Sequence, residues 1–153
     1  MFDIYGIPPN MTPQAIFKGN TGTKVMGGGD VTYTQYRDRI ISLLGQKSSV
    51  LIKADKPGSV NGKVTVNVTL TNSGKDKILE TSLYAVIYKR VSLNGYNNVV
   101  LGITPAVAIT SLAAGATVSY ELQDDLLAYD NSYGVAVILK ASSGLMIQAL
   151  KAK

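Results

Sequence analysis

The sequence predicts a mainly β protein, an antiparallel β-sandwich preceded by a small β-hairpin plus helix segment. Three observations predict it. Beyond Ser48 apolar residues recur with a period of two, the spacing that puts alternate side chains on one face of a strand. Turn residues cut that region into strand-length pieces. Between Asp30 and Leu44 the period is instead three to four, the spacing of one helix face. The chain has 153 residues, 46% hydrophobic and 16% charged, a globular balance that can bury a core.

Taken in order, Gln14 to Lys18 is a short apolar run entering the turn Gly19-Asn20-Thr21-Gly22, and Thr23 to Met26 is a second run ending in Gly27-Gly28-Gly29. That pattern is a hairpin. In the helix that follows, Tyr33, Tyr36, Ile40 and Leu43 or Leu44 line one face. Thr32 serves as N-cap with Gln35 three residues on, and Gly45 stands where a C′ glycine belongs. Val50 to Lys53 is the first strand of the sandwich, and Lys53 to Gly62, with Lys56-Pro57-Gly58, reads as its connection to the second. Lys63 to Thr71 alternates without a break, with Val64, Val66, Val68 and Leu70 inward and Thr65, Asn67, Thr69 and Thr71 outward. Asn72-Ser73-Gly74 turns the chain. Leu79 to Arg90 is a long strand in which Leu83, Ala85 and Ile87 oppose Tyr84, Val86 and Tyr88, so both faces are apolar and the strand is central or carries an aromatic outer face. Further strands are expected at Val99 to Leu101, Thr117 to Leu122, Gly134 to Lys140 and Leu145 to Leu150. Strands of this length with turns between them read as a sandwich. The expected domains are residues 1–46, the hairpin and helix, and residues 47–153, the sandwich.

Composition excludes much chemistry. The sequence holds no Cys, His or Trp, so disulfides, thiolate or imidazole catalysis and Cys/His metal ligation are absent. No enzyme activity, cofactor or metal is expected. The net charge is +5, but the basic residues are dispersed, with pairs such as Lys89-Arg90 and no basic stripe, which argues against a nucleic-acid partner. No apolar run approaches a membrane span; Leu83 to Tyr88 is the longest. Met1-Phe2-Asp3-Ile4 lacks the basic and apolar regions of a signal peptide, so an export signal would have been removed or would lie outside this sequence. Richness in Thr, Ser, Asn, Gly and Tyr, with the sequons at Asn10 and Asn67, tips the expected location to extracytoplasmic: secreted, periplasmic or cell-surface.

Two resemblances appear. Tyr5-Gly6-Ile7, Thr12-Pro13-Gln14-Ala15-Ile16-Phe17-Lys18-Gly19, Val25-Met26-Gly27-Gly28-Gly29 and the helix from Tyr33 to Leu44 resemble the second half of a thioredoxin-like domain. The resemblance implies that Pro13 takes the family's cis-proline position. It also implies that the dithiol belongs to a first half lying upstream of Met1. Thr110-Ser111-Leu112-Ala113-Ala114-Gly115-Ala116-Thr117, Asn131-Ser132-Tyr133-Gly134-Val135-Ala136-Val137-Ile138 and Met146-Ile147-Gln148-Ala149-Leu150 resemble the Ig-like domain that follows such a region in some secreted or outer-membrane-associated bacterial proteins. A hairpin and one helix bury too little apolar surface to stand alone, so the first segment needs the sandwich, a second copy reached through the strand at Ala15 to Phe17, or a missing half.

Candidate sites are few. Asp124, Asp125 and Asp130 bracket a loop but lack cation-site spacing and read as a solvated acidic turn. Gly27-Gly28-Gly29 before a helix lacks a phosphate-binding pattern and reads as a tight turn. Tyr84, Tyr88, Tyr96 and Tyr129 are candidates for an aromatic platform for a glycan or peptide, against the alternative that they pack on strand neighbours. Tyr133 fits a corner tyrosine, and Glu80 and Glu121 give no ground for a carboxylate pair. The sequence thus points to a non-catalytic structural or protein-interaction module whose partner is a protein or a second copy. The alternatives are the C-terminal fragment of a thiol-disulfide oxidoreductase and a carbohydrate- or surface-binding domain.

Overall fold

The computed structural model describes residues 14–15, 25–26, 37–38, 40–42, 47–89, 99–125 and 132–152. Two short strands, β1 (Gln14–Ala15) and β2 (Val25–Met26), pair antiparallel with Gln14 opposite Met26. Residues 37–38 and 40–42 have helical backbone within the range where the three-to-four spacing predicts a helix. Ile40 and Ile41 there are 49% and 58% exposed, so the described helical residues do not bury their apolar side chains. Pro13, the Gly27-Gly28-Gly29 run and the strand expected at Ala15 to Phe17, apart from the Ala15 backbone, lie outside the described residues.

The remaining strands are β3 (Val50–Ala54), β4 (Gly58–Val60), β5 (Lys63–Asn72), β6 (Ile78–Lys89), β7 (Val99–Ile103), β8 (Val107–Leu112), β9 (Thr117–Asp124), β10 (Tyr133–Ala141) and β11 (Met146–Lys151). They form two antiparallel sheets. In one, β5 is central, with β9 along one edge and β3 followed by β4 along the other. In the second, the order is β11-β10-β6-β7, and β8 continues along the β6 edge that β7 begins. β3 and β4, like β7 and β8, therefore behave as one strand broken by an irregularity.

Each break has a local cause. Between β7 and β8, Thr104 replaces a regular ladder pair: its N–H donates to the Ala85 carbonyl at 2.9 Å, and its Oγ1 accepts the Ala85 N–H at 3.0 Å. Pro105 follows, and a residue with no N–H is tolerated at a bulge on an edge strand. Pro57 occupies the corresponding break between β3 and β4. The segment read as a plain connection from Lys53 to Gly62 thus contains β4. It pairs with β5 through a two-residue turn in which Asn61 (φ 51) and Gly62 (φ 78) both take the left-handed conformation. Asn-Gly is the pair that such hairpin turns favour, because both central residues need positive φ. β8 is a second addition to the expected strands.

The core lies between the sheets. Leu83, Ala85, Ile87, Val135, Val137 and Leu139 from one sheet meet Val64, Val66, Val68, Leu70 and Leu122 from the other, all at most 3% exposed. β5 and β6 lie at the centres of their sheets, and β6, with Tyr84 and Tyr88 outward, meets both expectations its two apolar faces left open, a central place and an aromatic outer face. In β6, Glu80 has φ 47 and its carbonyl accepts the Ser142 N–H at 2.9 Å. Around it the strand changes phase, so Ile78 packs on the core while Leu79 is 52% exposed. Asn72 ends β5 as a fully buried polar pin. Its Nδ2 donates to the Asp76 and Leu112 carbonyls at 2.8 and 3.0 Å, and its Oδ1 accepts the Gly74 N–H at 3.0 Å. Its backbone also bonds to Gly115 and Ala116, which ties the two turns at that end together.

Candidate functional site

Strand register assigns the side chains to faces, and the two outer faces of the sandwich differ at their centres. On the β5 sheet the outward positions of β5 and β9 are polar: Thr69 and Ser119 hydroxyls bond at 3.1 Å and Thr71 and Thr117 at 2.9 Å, with Asn67 opposite Glu121, while Leu51 of β3 and Val60 of β4 stand outward along the edge, 52% and 49% exposed. This ladder satisfies itself and faces water. On the β6 sheet the central outward positions are apolar, with Ser82, Lys140 and Lys151 on the same side toward the flank. Tyr84, Val86 and Tyr88 of β6 stand beside Ile138, Ala136 and Gly134 of β10, and all but the buried Gly134 are half-buried. Val100 and Ile103 of β7 extend the surface and are 37% and 41% exposed. Among the described residues, the extensive contacts of β6 and β10 are with their own sheet neighbours. A solvated sheet face is normally polar, so an apolar outer face sets this sheet apart.

The tyrosines have distinct settings. Tyr88 lies over Gly134: a Cβ added at Gly134 would run into its Cε2, Cζ and hydroxyl. An aromatic ring covering a strand glycine is a tyrosine packed on its strand neighbour. Tyr84 shares the outer face with Tyr88, whereas Tyr96 and Tyr129 lie outside the described residues. Tyr133 is on the inner side, packed against the core, with the Lys89 ammonium 5.5 Å from its ring centroid. Sequence reasoning missed Val86, Ala136, Ile138, Val100 and Ile103 as site residues. The signal was present in β10, where Val135 to Leu139 is apolar without alternation, but a continuous run does not say which face lies against the core.

Other candidates dissolve in the structure. Asp125 pairs with Lys63 at 2.7 Å on the surface, and the bond to Asp125 raises the Lys63 pKa above its ordinary value. Asp130 lies outside the described residues. Among the described residues no group of three or more His, Cys, Asp and Glu could hold a metal ion. Glu80 and Glu121 sit on different sheets. An open cleft of about 340 Å³ runs between the start of β8 and the end of β9, lined by Pro105, Val107, Glu121, Leu122 and Gln123. The Gln123 amide donates to the Glu121 carboxylate there. With one carboxylate and no neighbouring base or nucleophile among its lining, the cleft offers no acid–base pair. No described helix is long and apolar enough to cross a membrane.

No protein-family model matches the chain, and no curated protein sequence matches it. Among solved structures, it is similar to a domain of the outer membrane lipoprotein Omp28 from Porphyromonas gingivalis. The TM-score is 0.50 at 9% identity, over 69% of this chain and 88% of that one. It is also similar to part of the Pseudomonas fluorescens alkylpurine DNA glycosylase AlkC (TM-score 0.45, 16% identity, 74% of this chain and 33% of that one). A third is Bacteroides uniformis β-glucuronidase (TM-score 0.44, 17% identity, 67% and 12%). The two enzymes add nothing at those scores, and the chain spans a third or less of their length. What the Omp28 likeness establishes is a shared β fold.

Proposed function

We propose that this chain is a non-catalytic protein-interaction module of an extracytoplasmic protein, an Ig-like sandwich over residues 47–153 that docks through the outer face of the β6 sheet. The observation that carries the reading is the contrast between the centres of the faces: on one a self-satisfied Thr/Ser ladder with Leu51 and Val60 only along its edge, on the other Tyr84, Val86, Tyr88, Ala136 and Ile138. The Omp28 domain is described as part of an outer membrane lipoprotein, which supports a cell-envelope setting for this chain. The absence of Cys and His from the sequence supports a role without catalysis.

The test is site-specific photo-crosslinking in the native cells. A photoreactive residue in place of Val86 is expected to give a discrete protein adduct, and one in place of Thr69 on the opposite face none. Equal adducts from both faces, or none from either, would overturn the proposal.

A further inference from the structure

A contact of a different kind lies on the other sheet, independent of the outer face of β6. We infer that the edge of β9 pairs antiparallel with β9 of a second copy of this chain, joining two β5 sheets into one. Among the described residues, the backbone of Thr117 to Gln123 pairs with β5 along one side, and no strand pairs along the other; the β1–β2 hairpin forms a sheet of its own. An edge of this kind is a template for a further strand. The other three edges of the sandwich each carry an obstacle to such pairing. Pro57 interrupts the edge of β3 and β4, and Thr104-Pro105 interrupts that of β7 and β8. Along β11 there are Lys151 and a register shift opposite Leu139 and Lys140, and the Gln148 Nε2 donates to the Val50 carbonyl of β3 at 3.4 Å. β9 has none of these. Its eight residues pair with β5 without a shift, and it contains no Pro, Lys or Arg.

The sequence of β9 is its own complement. A two-fold axis perpendicular to the sheet keeps outward residues opposite outward ones, so it passes through a residue and not between two. Tyr120 and Glu121 are the centres that give the longest overlap, Thr117 to Gln123 or Val118 to Asp124, and the second sets Glu121 against itself. About Tyr120, Val118 stands opposite Leu122 of the second copy, Ser119 opposite its Glu121 and Thr117 opposite its Gln123. Apolar meets apolar on the inner side. On the outer side the carboxylate faces Ser119, whose hydroxyl can donate to it while accepting from Thr69. The inner side gains burial, since Val118 and Tyr120 are half-buried whereas Val66, Val68 and Leu70 of adjacent β5 are at most 2% exposed. No Lys or Arg of β9 meets its copy, and the repulsion between two chains of net charge +5 is screened at physiological salt. The overlap is about 23 Å long at about 3.3 Å per residue and one strand wide, well under the roughly 800 Å² per partner of a standard stable interface. The dimer is therefore weak and reversible.

The experiment is sedimentation equilibrium of the full chain up to about 1 mM, with substitutions at Ser119, an exposed position where a change carries little risk to folding. A monomer–dimer equilibrium is expected. Ser119→Glu sets two like-charge pairs against Glu121 and should weaken the dimer about fivefold, whereas Ser119→Lys sets two opposite-charge pairs there and should tighten it about fivefold. Net charge alone predicts the reverse, because Ser119→Glu brings the chain nearer neutrality. The chain has no cysteine, so a mixture of Ser119→Cys and Glu121→Cys chains should form the mixed disulfide on mild oxidation in preference to either symmetric one. A chain still monomeric at about 1 mM, a dimer moved equally by both Ser119 substitutions or by neither, or statistical cross-linking in the mixture would overturn the inference. Dimerisation lost in Val86→Glu but unmoved at Ser119 would assign self-association to the outer face of β6 and overturn it likewise.

Discussion

Replacing Asn72 is expected to destabilise the sandwich more than any surface change, and the structure allows the magnitude to be worked out. The side chain is 0% exposed and makes three hydrogen bonds, to the Leu112 and Asp76 carbonyls and from the Gly74 N–H. In Asn72→Ala the Leu112 carbonyl is left without its partner in a buried site, at about 1–3 kcal/mol; the other two groups are near exposed turns and lose about 0.5–1 kcal/mol each. The sum is roughly 3 kcal/mol, a large share of the roughly 5–15 kcal/mol that stabilises a typical domain. Asn72→Asp isolates the hydrogen bonding from the cavity. It keeps the shape and the acceptor for Gly74, loses both donors, and sets a carboxylate against two carbonyl oxygens. Burial raises the folded-state pKa of that new carboxyl above its unfolded value of about 3.9. Its penalty is therefore small below that pH and grows by about 1.4 kcal/mol for each pH unit climbed until the raised value is reached. Urea denaturation followed by circular dichroism, wild type and variants at about pH 3 and pH 7 on either side of the ordinary carboxyl range, reads both effects. An Asn72→Ala cost below about 1 kcal/mol, or an Asn72→Asp penalty equal at the two pH values, would refute the reasoning.

Gly134→Ala should displace the Tyr88 ring and cost about 1–3 kcal/mol, and most of that cost should vanish in a Tyr88→Ala background; an additive double-mutant cycle would contradict the stacked geometry. Thr104→Val preserves shape but leaves the buried Ala85 N–H without its acceptor, so a loss of about 1–3 kcal/mol is expected in the urea midpoint. Gly62→Ala places a Cβ on a residue with φ 78 and should lower stability by about 1 kcal/mol, read by thermal melting. Lys63→Met should leave the melting temperature at neutral pH unchanged in high salt, because the pair with Asp125 is solvent-exposed and screened. At low salt any contribution of that pair is present at neutral pH and is lost as pH rises through the raised Lys63 pKa.

Most strands were legible because the alternation that encodes them is local. Lys63 to Asn72 and Ile78 to Lys89 fall within a residue or two of the ranges their patterns predict, since a polar residue at every second position of β5 and turn residues at Asn72 to Gly74 mark face and end together. Gly58–Val60 was missed: Lys56-Pro57-Gly58 just before it suggests a loop, although the Asn61-Gly62 pair that follows is a hairpin-turn signal. Val107–Leu112 was not, because its apolar positions lose their alternation: Ile109 and Leu112 are both buried, three residues apart, opposite the point where Glu80 inverts the phase of β6. The candidate site was half-legible. Tyr84 and Tyr88 stood out by residue type, whereas Val86, Ala136 and Ile138 look like any core residues.

By itself the sequence determined the β architecture, its two longest strands and the exclusion of thiol and imidazole chemistry, because strand period and side-chain inventory are local properties of the chain. Only the tertiary structure decided which apolar face is inside. Val135, Val137 and Leu139 and their neighbours Ala136 and Ile138 are chemically alike, and what separates core from outer face is the packing of β5 and β9 against one side of the sheet. Burial is a relation between strands distant in the chain, and a strand apolar on both faces carries no local mark of it.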